Sequence, residues 1–170
     1  MAKVMVDTYL SAHHDQMPEA AWNKRHDEWT YAVSERAWQS TLTEPEHAEC
    51  VYVAEYLPTG EVIGLGYGHA SDRKLLLNAG EVSALYVRKE FQGQGIGRGL
   101  VGALATHLAT QGYTALIICV LTVNTPARGF YEAIGGRVIG ETEFDEEGWL
   151  LPETIYGWDN VDRLHQRHDH

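Results

Sequence analysis

One stretch of about thirty residues limits the folds open to this chain more than any other. Val82-Ser83-Ala84-Leu85-Tyr86-Val87 reads as a strand. It leads within a few residues into Gln92-Gly93-Gln94-Gly95-Ile96-Gly97-Arg98-Gly99, and then a helix opens whose apolar positions Ile96, Leu100, Leu104 and Leu108 fall on one stripe. A strand that turns through glycines straight into an amphipathic helix must lay that helix back on its own sheet. Glycine at 93, 95, 97 and 99 leaves successive main-chain amides unshielded at the positive end of the helix dipole, which suits phosphate oxygens. Tight helix–sheet packing alone would also use such glycines. Two better-known glycine loops do not match. No Gly-Lys-Ser/Thr ending follows, and counted from Gly93 or Gly95 the dinucleotide spacing fails, because position 98 is Arg98 and position 100 is Leu100. Two strands also precede this loop, whereas a dinucleotide loop follows the first.

The rest of the chain reads as elements around that unit. Residues 4–42 have helical character: Val4, Met5, Tyr9 and Ala12 recur at helical spacing, Pro18 opens a short second helix through Trp22, and Ser34 is the expected N-cap of a third ending near Leu42. Residues 50–55 and 62–67 form a hairpin about Leu57-Pro58-Thr59-Gly60, and residues 69–80 are expected to be loop. Gly112 should stop the amphipathic helix, and the apolar run Ala115–Leu121 suits a central strand. Thr125 as N-cap and Pro126 at the first helical position predict a helix carrying Phe130, Tyr131 and Ile134 up to Gly135-Gly136. Val138-Ile139 and Trp149–Trp158 are the last strands, joined by an acidic turn over Asp145–Gly148. The expected fold class is α+β, a three-layer arrangement of one mixed, mostly antiparallel twisted sheet between helices. It forms a single domain over 1–170, with a helical region at 1–48, the sheet and its helices at 50–158 and a tail at 159–170.

Composition narrows the partners. The formal net charge is −11 over 170 residues, which disfavours nucleic acid and anionic membranes. No apolar run has membrane-spanning length, and no signal-peptide pattern opens the chain, so a cytoplasmic location is expected. Residues 61–100 depart from the acidic background: Arg73, Lys74, Arg88, Lys89 and Arg98 outnumber Glu61, Asp72, Glu81 and Glu90. This basic island suggests an anionic ligand, with Arg88, Lys89 and Arg98 flanking the glycine turn. Cys50 and Cys119 lie in apolar segments and read as buried small hydrophobes. No metal site is expected. The run His165-Gln166-Arg167-His168-Asp169-His170 has ligand residue types but reads as a solvated tail, and His13-His14-Asp15 is weaker still.

The glycine segment and the strand before it resemble the cofactor-binding motif of the GNAT N-acetyltransferase superfamily, Gln/Arg-x-x-Gly-x-Gly/Ala. Asn124-Thr125-Pro126-Ala127-Arg128-Gly129-Phe130-Tyr131-Glu132-Ala133-Ile134-Gly135-Gly136 resembles that family's second motif, in the right order and at about the right distance. The resemblance spans roughly residues 50–158. It implies acetyl-CoA (acetyl-coenzyme A) as co-substrate and a primary amine as acceptor. Gln92, Gly93, Gln94, Gly95, Ile96, Gly97 and Arg98 would hold the pyrophosphate. Leu85, Tyr86 and Val87 would lie along the pantetheine arm, with main-chain groups of Leu85 and Val87 offered where two strands splay. Asn124 would orient the arm, and Tyr131 would sit near the thioester sulfur. Amine attack on a thioester needs positioning, a base and an acid rather than a protein nucleophile. Glu81 is the first choice as base and His69, expected on a loop, the second. Tyr131 is the natural acid for the leaving thiolate, and the Val87 amide is a candidate to polarise the carbonyl.

Acceptor-side features are harder to read. Trp22, Trp29 and Trp38 either line an acceptor pocket or pack a core. The acidic run Glu141, Glu143, Asp145, Glu146, Glu147 either attracts a cation or is a solvated hairpin edge. Family chains usually begin with a strand, yet residues 4–9 already read as helix here. That first strand is therefore expected to be missing or vestigial, leaving a sheet edge for a loop or a homodimer partner to protect. The expected activity is direct acetyl transfer to a small cationic amine. The rivals are a non-catalytic coenzyme A-binding module and an enzyme acetylating protein N-termini or lysines.

Overall fold

The computed structural model describes residues 1–164; the histidine-rich run His165–His170 lies outside the described residues. Six strands form one sheet: β1 (Cys50–Tyr56), β2 (Glu61–Ala70), β3 (Ala79–Val87), β4 (Ala115–Leu121), β5 (Arg137–Glu146) and β6 (Trp149–Trp158). They lie in the order β1-β2-β3-β4-β6-β5, antiparallel at every step except the parallel pair β3–β4. Helices α1 (Ala2–His13), α2 (Glu19–Glu28) and α3 (Tyr31–Thr43) precede the sheet, α4 (Ile96–Thr110) crosses from β3 to β4, and α5 (Thr125–Ala133) follows β4. Two cores divide the helices between the faces. Leu100's stripe neighbours Leu104 and Leu108 pack with Ile118, Tyr131 and Trp158 on one side, and Val4 and Trp38 pack with Leu65 and Ala84 on the other. This is the three-layer mixed sheet expected. Among the described residues no strand precedes Cys50, so β1 is an edge strand.

The helix after β3 sits unusually close to the sheet, and glycine permits it. A Cβ on Gly66 would lie 2.7 Å from Leu104 Cδ1, and one on Gly80 would lie 2.6 Å from Leu108 Cδ1. Leu104 and Leu108 are fully buried there. That close approach brings the N-terminus of α4 to the end of β3.

Several local expectations change. Thr30, not Ser34, caps α3: its side chain accepts from the Val33 N–H, and Ser34 is buried one turn inside the helix. Helix α2 runs on to Glu28 rather than ending near Trp22. Asn124, not Thr125, caps α5, its Oδ1 accepting from the Ala127 N–H at 3.2 Å. Strand β2 continues to Ala70 and β3 starts at Ala79, so His69 lies on a strand rather than a loop, opposite Glu81. Hydrogen bonding across the sheet supplies a pairing that the polar character of residues 69–80 hides. The last hairpin turns on Glu147-Gly148 alone, both at positive φ, because β5 extends from Arg137 through Glu146. Glu146 therefore belongs to a strand and is fully buried, not part of a solvated acidic edge.

Candidate active site

Strands β3 and β4 pair only from Ala79↔Ala115 to Val82↔Ile118, and beyond that point they diverge. The β2–β3 register slips at the same place: Tyr67 faces Ala84 and Gly68 faces Val82, which leaves Ser83 as the extra residue of a bulge. Past the bulge, Arg88 N–H donates to Ile63 C=O across the Gly64↔Val87 pair. Alternation along the strand then directs the main-chain groups of Tyr86 toward β2 and those of Leu85 and Val87 into the cleft between β3 and β4. Val87 C=O accepts from Gln92 Nε2 at 2.9 Å, which pins the start of the glycine turn to the strand.

The turn is built for an anion by its main chain. Gly93 and Gly95 hold φ of 73° and 82°, and a Cβ on either would meet nothing within 4 Å. Their glycines serve conformation and access, whereas Gly97 also admits Phe130, whose Cζ would lie 3.3 Å from an added Cβ. The N–H groups from Gly93 to Arg98 donate to no described main-chain carbonyl, and no side chain caps α4. A row of unpaired amides at the helix N-terminus fits a pyrophosphate. The basic island contributes less than expected. Arg88 is engaged by Glu61 and Glu90, and Arg73 by Glu81, while Arg98 Nη2 reaches Ala133 C=O at 3.5 Å. Acidic partners that the fold sets beside Arg88 and Arg73 neutralise these guanidinium groups locally.

Tyr131 of α5 is 7% exposed, and its hydroxyl has no hydrogen-bond partner among the described residues. Burial raises its pKa, with Tyr86 and Cys119 close enough to add to the effect. Those neighbours lie on the two strands that diverge, so the phenol reaches the cleft. Asn124 is committed to its cap and sits at the far end of the same helix. Tyr86 pairs with Leu65 through its main chain, and its ring, whose pKa burial pushes up to about 12, lies toward Tyr9 on the α1 side.

The other side of the cleft carries the titratable groups. Glu81 is buried; its Oε2 accepts from Ser71 Oγ at 2.9 Å, and Arg73 Nε lies 3.3 Å from its carboxylate oxygens. Both oxygens are therefore engaged. His69 Nδ1 lies 2.7 Å from Ala70 C=O and Nε2 2.5 Å from Ser83 Oγ. A carbonyl only accepts, so Nδ1 carries the proton and neutral Nε2 accepts from the Ser83 hydroxyl. Cys119 on β4 has its thiol pushed up to about 12 by burial, Arg73 opposing and Glu81 and Glu153 reinforcing the shift, so it stays protonated. Glu153 on β6 is raised chiefly by burial, with Arg73 lowering and Glu81 raising it further.

The tryptophans divide. Trp38 packs the core, Trp29 meets Tyr9 edge-on and receives the Arg25 guanidinium, and Trp22 stacks on His26. The structure brings Tyr131, Gln92–Arg98 and Leu85–Val87 around one cleft, with Glu81 and His69 paired across β2 and β3 on its other side. Sequence reading missed Ser83, Glu153 and the pairing of Arg73 with Glu81, since neither a bulge nor a pairing across strands has a local signature. Among the described residues no cluster of His, Cys, Asp and Glu is placed to hold a metal ion, and no helix is long and apolar enough to cross a membrane.

Comparison with known proteins agrees with this geometry. The family model described as FR47-like protein matches residues 63–145. An uncharacterised N-acetyltransferase of Bacillus subtilis, YuaI, is 28% identical over 96% of this chain and 88% of its own length. Among solved structures, the PaiA N-acetyltransferase of Thermoplasma acidophilum in complex with coenzyme A superposes with a TM-score of 0.66 at 15% identity, covering 92% of this chain and 88% of that one. The ribosomal-protein-alanine N-acetyltransferase of Brucella melitensis gives 0.65 at 19% identity, over 92% and 93%.

Proposed function

We propose that the chain is an N-acetyltransferase of the GNAT type, which moves an acetyl group from acetyl-CoA directly to the primary amine of a small cationic acceptor. Bound acetyl-CoA supplies an activated thioester. The unpaired amides of Gly93–Arg98 hold its pyrophosphate, and Leu85 and Val87 offer main-chain groups to its arm. The observation that carries the reading is Tyr131, a buried residue at the β3–β4 cleft whose hydroxyl has no partner among the described residues and whose pKa is raised chiefly by burial. A phenol kept neutral in that way serves as the acid for a leaving thiolate. Cys119, the nearby thiol, is too weakly acidic to act as an acyl carrier, which supports direct transfer over a covalent intermediate.

Acceptor charge is read from the opposite wall. Glu153 is a half-buried carboxylate with Glu81 near it and Arg73 opposing both, and this paired acidity favours a cationic acceptor. The base for the amine proton lies at His69. Glu81, the alternative, is already held by Arg73 and Ser71 and is better suited to fixing the loop before β3. Thiol release from acetyl-CoA over a panel of polyamines, amino acids and peptides tests the reading. Tyr131→Phe is expected to lower kcat by about 10²-fold or more with coenzyme A binding unchanged by calorimetry. Unchanged turnover in that variant at every pH sinks the acid assignment, and binding without turnover on any amine favours a coenzyme A-binding module.

A further inference from the structure

We infer that Ser83 is a catalytic residue, the group that takes the proton from the attacking amine and hands it to His69. The inference rests on the transferase reading above and names its proton path. Three observations converge on this serine. It is the first residue beyond the last β3–β4 pair, Val82↔Ile118, so it stands where the cleft opens. It is the unpaired residue of the β3 bulge and is exposed, although Val82 before it and Ala84 after it are buried. Its Oγ lies 2.5 Å from His69 Nε2, and Nδ1 of that ring donates to Ala70 C=O at 2.7 Å. Donation from Nδ1 selects the tautomer in which Nε2 is free to receive a proton. Serine, histidine and orienting acceptor thus form a nucleophile–base arrangement, here placed so that Ser83 reaches solvent and His69 lies behind it.

Glu81 does not offer the same service. It follows the same face two positions earlier, but it is buried, and Arg73 and Ser71 engage its carboxylate. An amine approaching from the α1–α3 side meets the Ser83 hydroxyl with no such obstruction.

The step balances as follows. The amine nitrogen–acetyl carbon bond forms as the carbon–sulfur bond breaks. The amine proton moves to Ser83 Oγ while the Ser83 proton moves to His69 Nε2. Tyr131 gives its hydroxyl proton to the sulfur, and solvent later takes the His69 proton and restores that of Tyr131. Groups facing His69 are Tyr67 on its own strand (ring centroids 5.5 Å apart), Glu81 opposite it on β3 with its Arg73, and the Glu49 carboxylate, which accepts from the Tyr67 hydroxyl. Glu49 lies close enough to interact electrostatically with the ring.

The test is steady-state thiol release with acetyl-CoA and the best acceptor of the amine panel, across pH, for wild type, Ser83→Ala, Ser83→Thr and His69→Gln. Ser83→Ala and His69→Gln are each expected to lower kcat by about 10²-fold with KM for acetyl-CoA unchanged. His69→Gln should also flatten the acid limb of the kcat profile, and Ser83→Thr should recover most of the rate by restoring a hydroxyl. Wild-type turnover and pH profile in both Ser83→Ala and His69→Gln overturn the relay alone. Absence of thiol release from the wild type with every amine overturns the transferase reading, and the relay with it.

Discussion

Arg25 of α2 donates from Nε to Glu146 Oε1 at 2.6 Å, joining residues 121 positions apart at the tip of the β5–β6 hairpin. Tyr9 of α1 donates to the other carboxylate oxygen at 3.0 Å, and Lys24 pairs with Glu147 beside them. Glu146 is fully buried while the Arg25 side chain keeps 26% exposure. The first two helices are thereby fastened over the acceptor side of the sheet. Removing the guanidinium leaves a buried carboxylate without the cation that pairs with it among the described residues, so Arg25→Ala should cost about 3 kcal/mol in urea unfolding. Arg25→Met with Glu146→Leu should cost much less than the sum of the two single changes. Additive losses would show that the pair is not the fastening.

Glu153 links pH to stability. Burial raises its pKa above 4.5, so the folded state favours the protonated acid. Its contribution is fully present below the unfolded value and is lost as pH rises through the folded one. Glu153→Gln is therefore expected to raise the unfolding midpoint at pH 7 and to give no gain below about pH 4. The same change should raise KM for a cationic acceptor without altering coenzyme A binding. A lower midpoint at pH 7 would contradict the sign.

Gly80 tests how α4 is seated. A Cβ there would crowd three Leu108 atoms at 2.6–3.1 Å, in a side chain that is fully buried. Gly80→Ala should cost about 1–3 kcal/mol through overpacking. Chemical denaturation of Gly80→Ala beside Gly80→Ala/Leu108→Ala checks this: the second change should recover part of what steric crowding removed, despite its own cavity. Failure to recover anything would point to another cause.

Gly95 and Gly99 separate conformation from helix propensity. Gly95 has φ of 82° at the cap of α4, whereas Gly99 lies inside the helix with open space around its missing Cβ. Gly95→Ala should lose about 1 kcal/mol of stability and weaken coenzyme A binding at least tenfold, measured by calorimetry. Gly99→Ala should gain about 0.5 kcal/mol and bind normally. Equal affinity in both variants would remove the glycine turn from the binding site.

The cofactor side of this protein was legible because its signals are local. Strand period, the glycines from 93 to 99, the Leu100–Leu104–Leu108 stripe and the helix carrying Tyr131 each depend on neighbours a few positions away, and all fall where expected. Caps were less secure: Asn124 and Thr125 are both good cap residues, and only the chain path chooses Asn124. The strand ends near His69 and Ala79 were hidden because pairing, not composition, makes those residues a sheet.

By itself the sequence determined a sheet–turn–helix unit with unpaired amides, since glycine positions and apolar period dictate backbone geometry directly. Only the tertiary structure decided the acceptor side. It set Arg73 on Glu81, Arg25 on Glu146, and Ser83 on His69 through a bulge, because those partners are joined by strand register and helix placement rather than by sequence spacing.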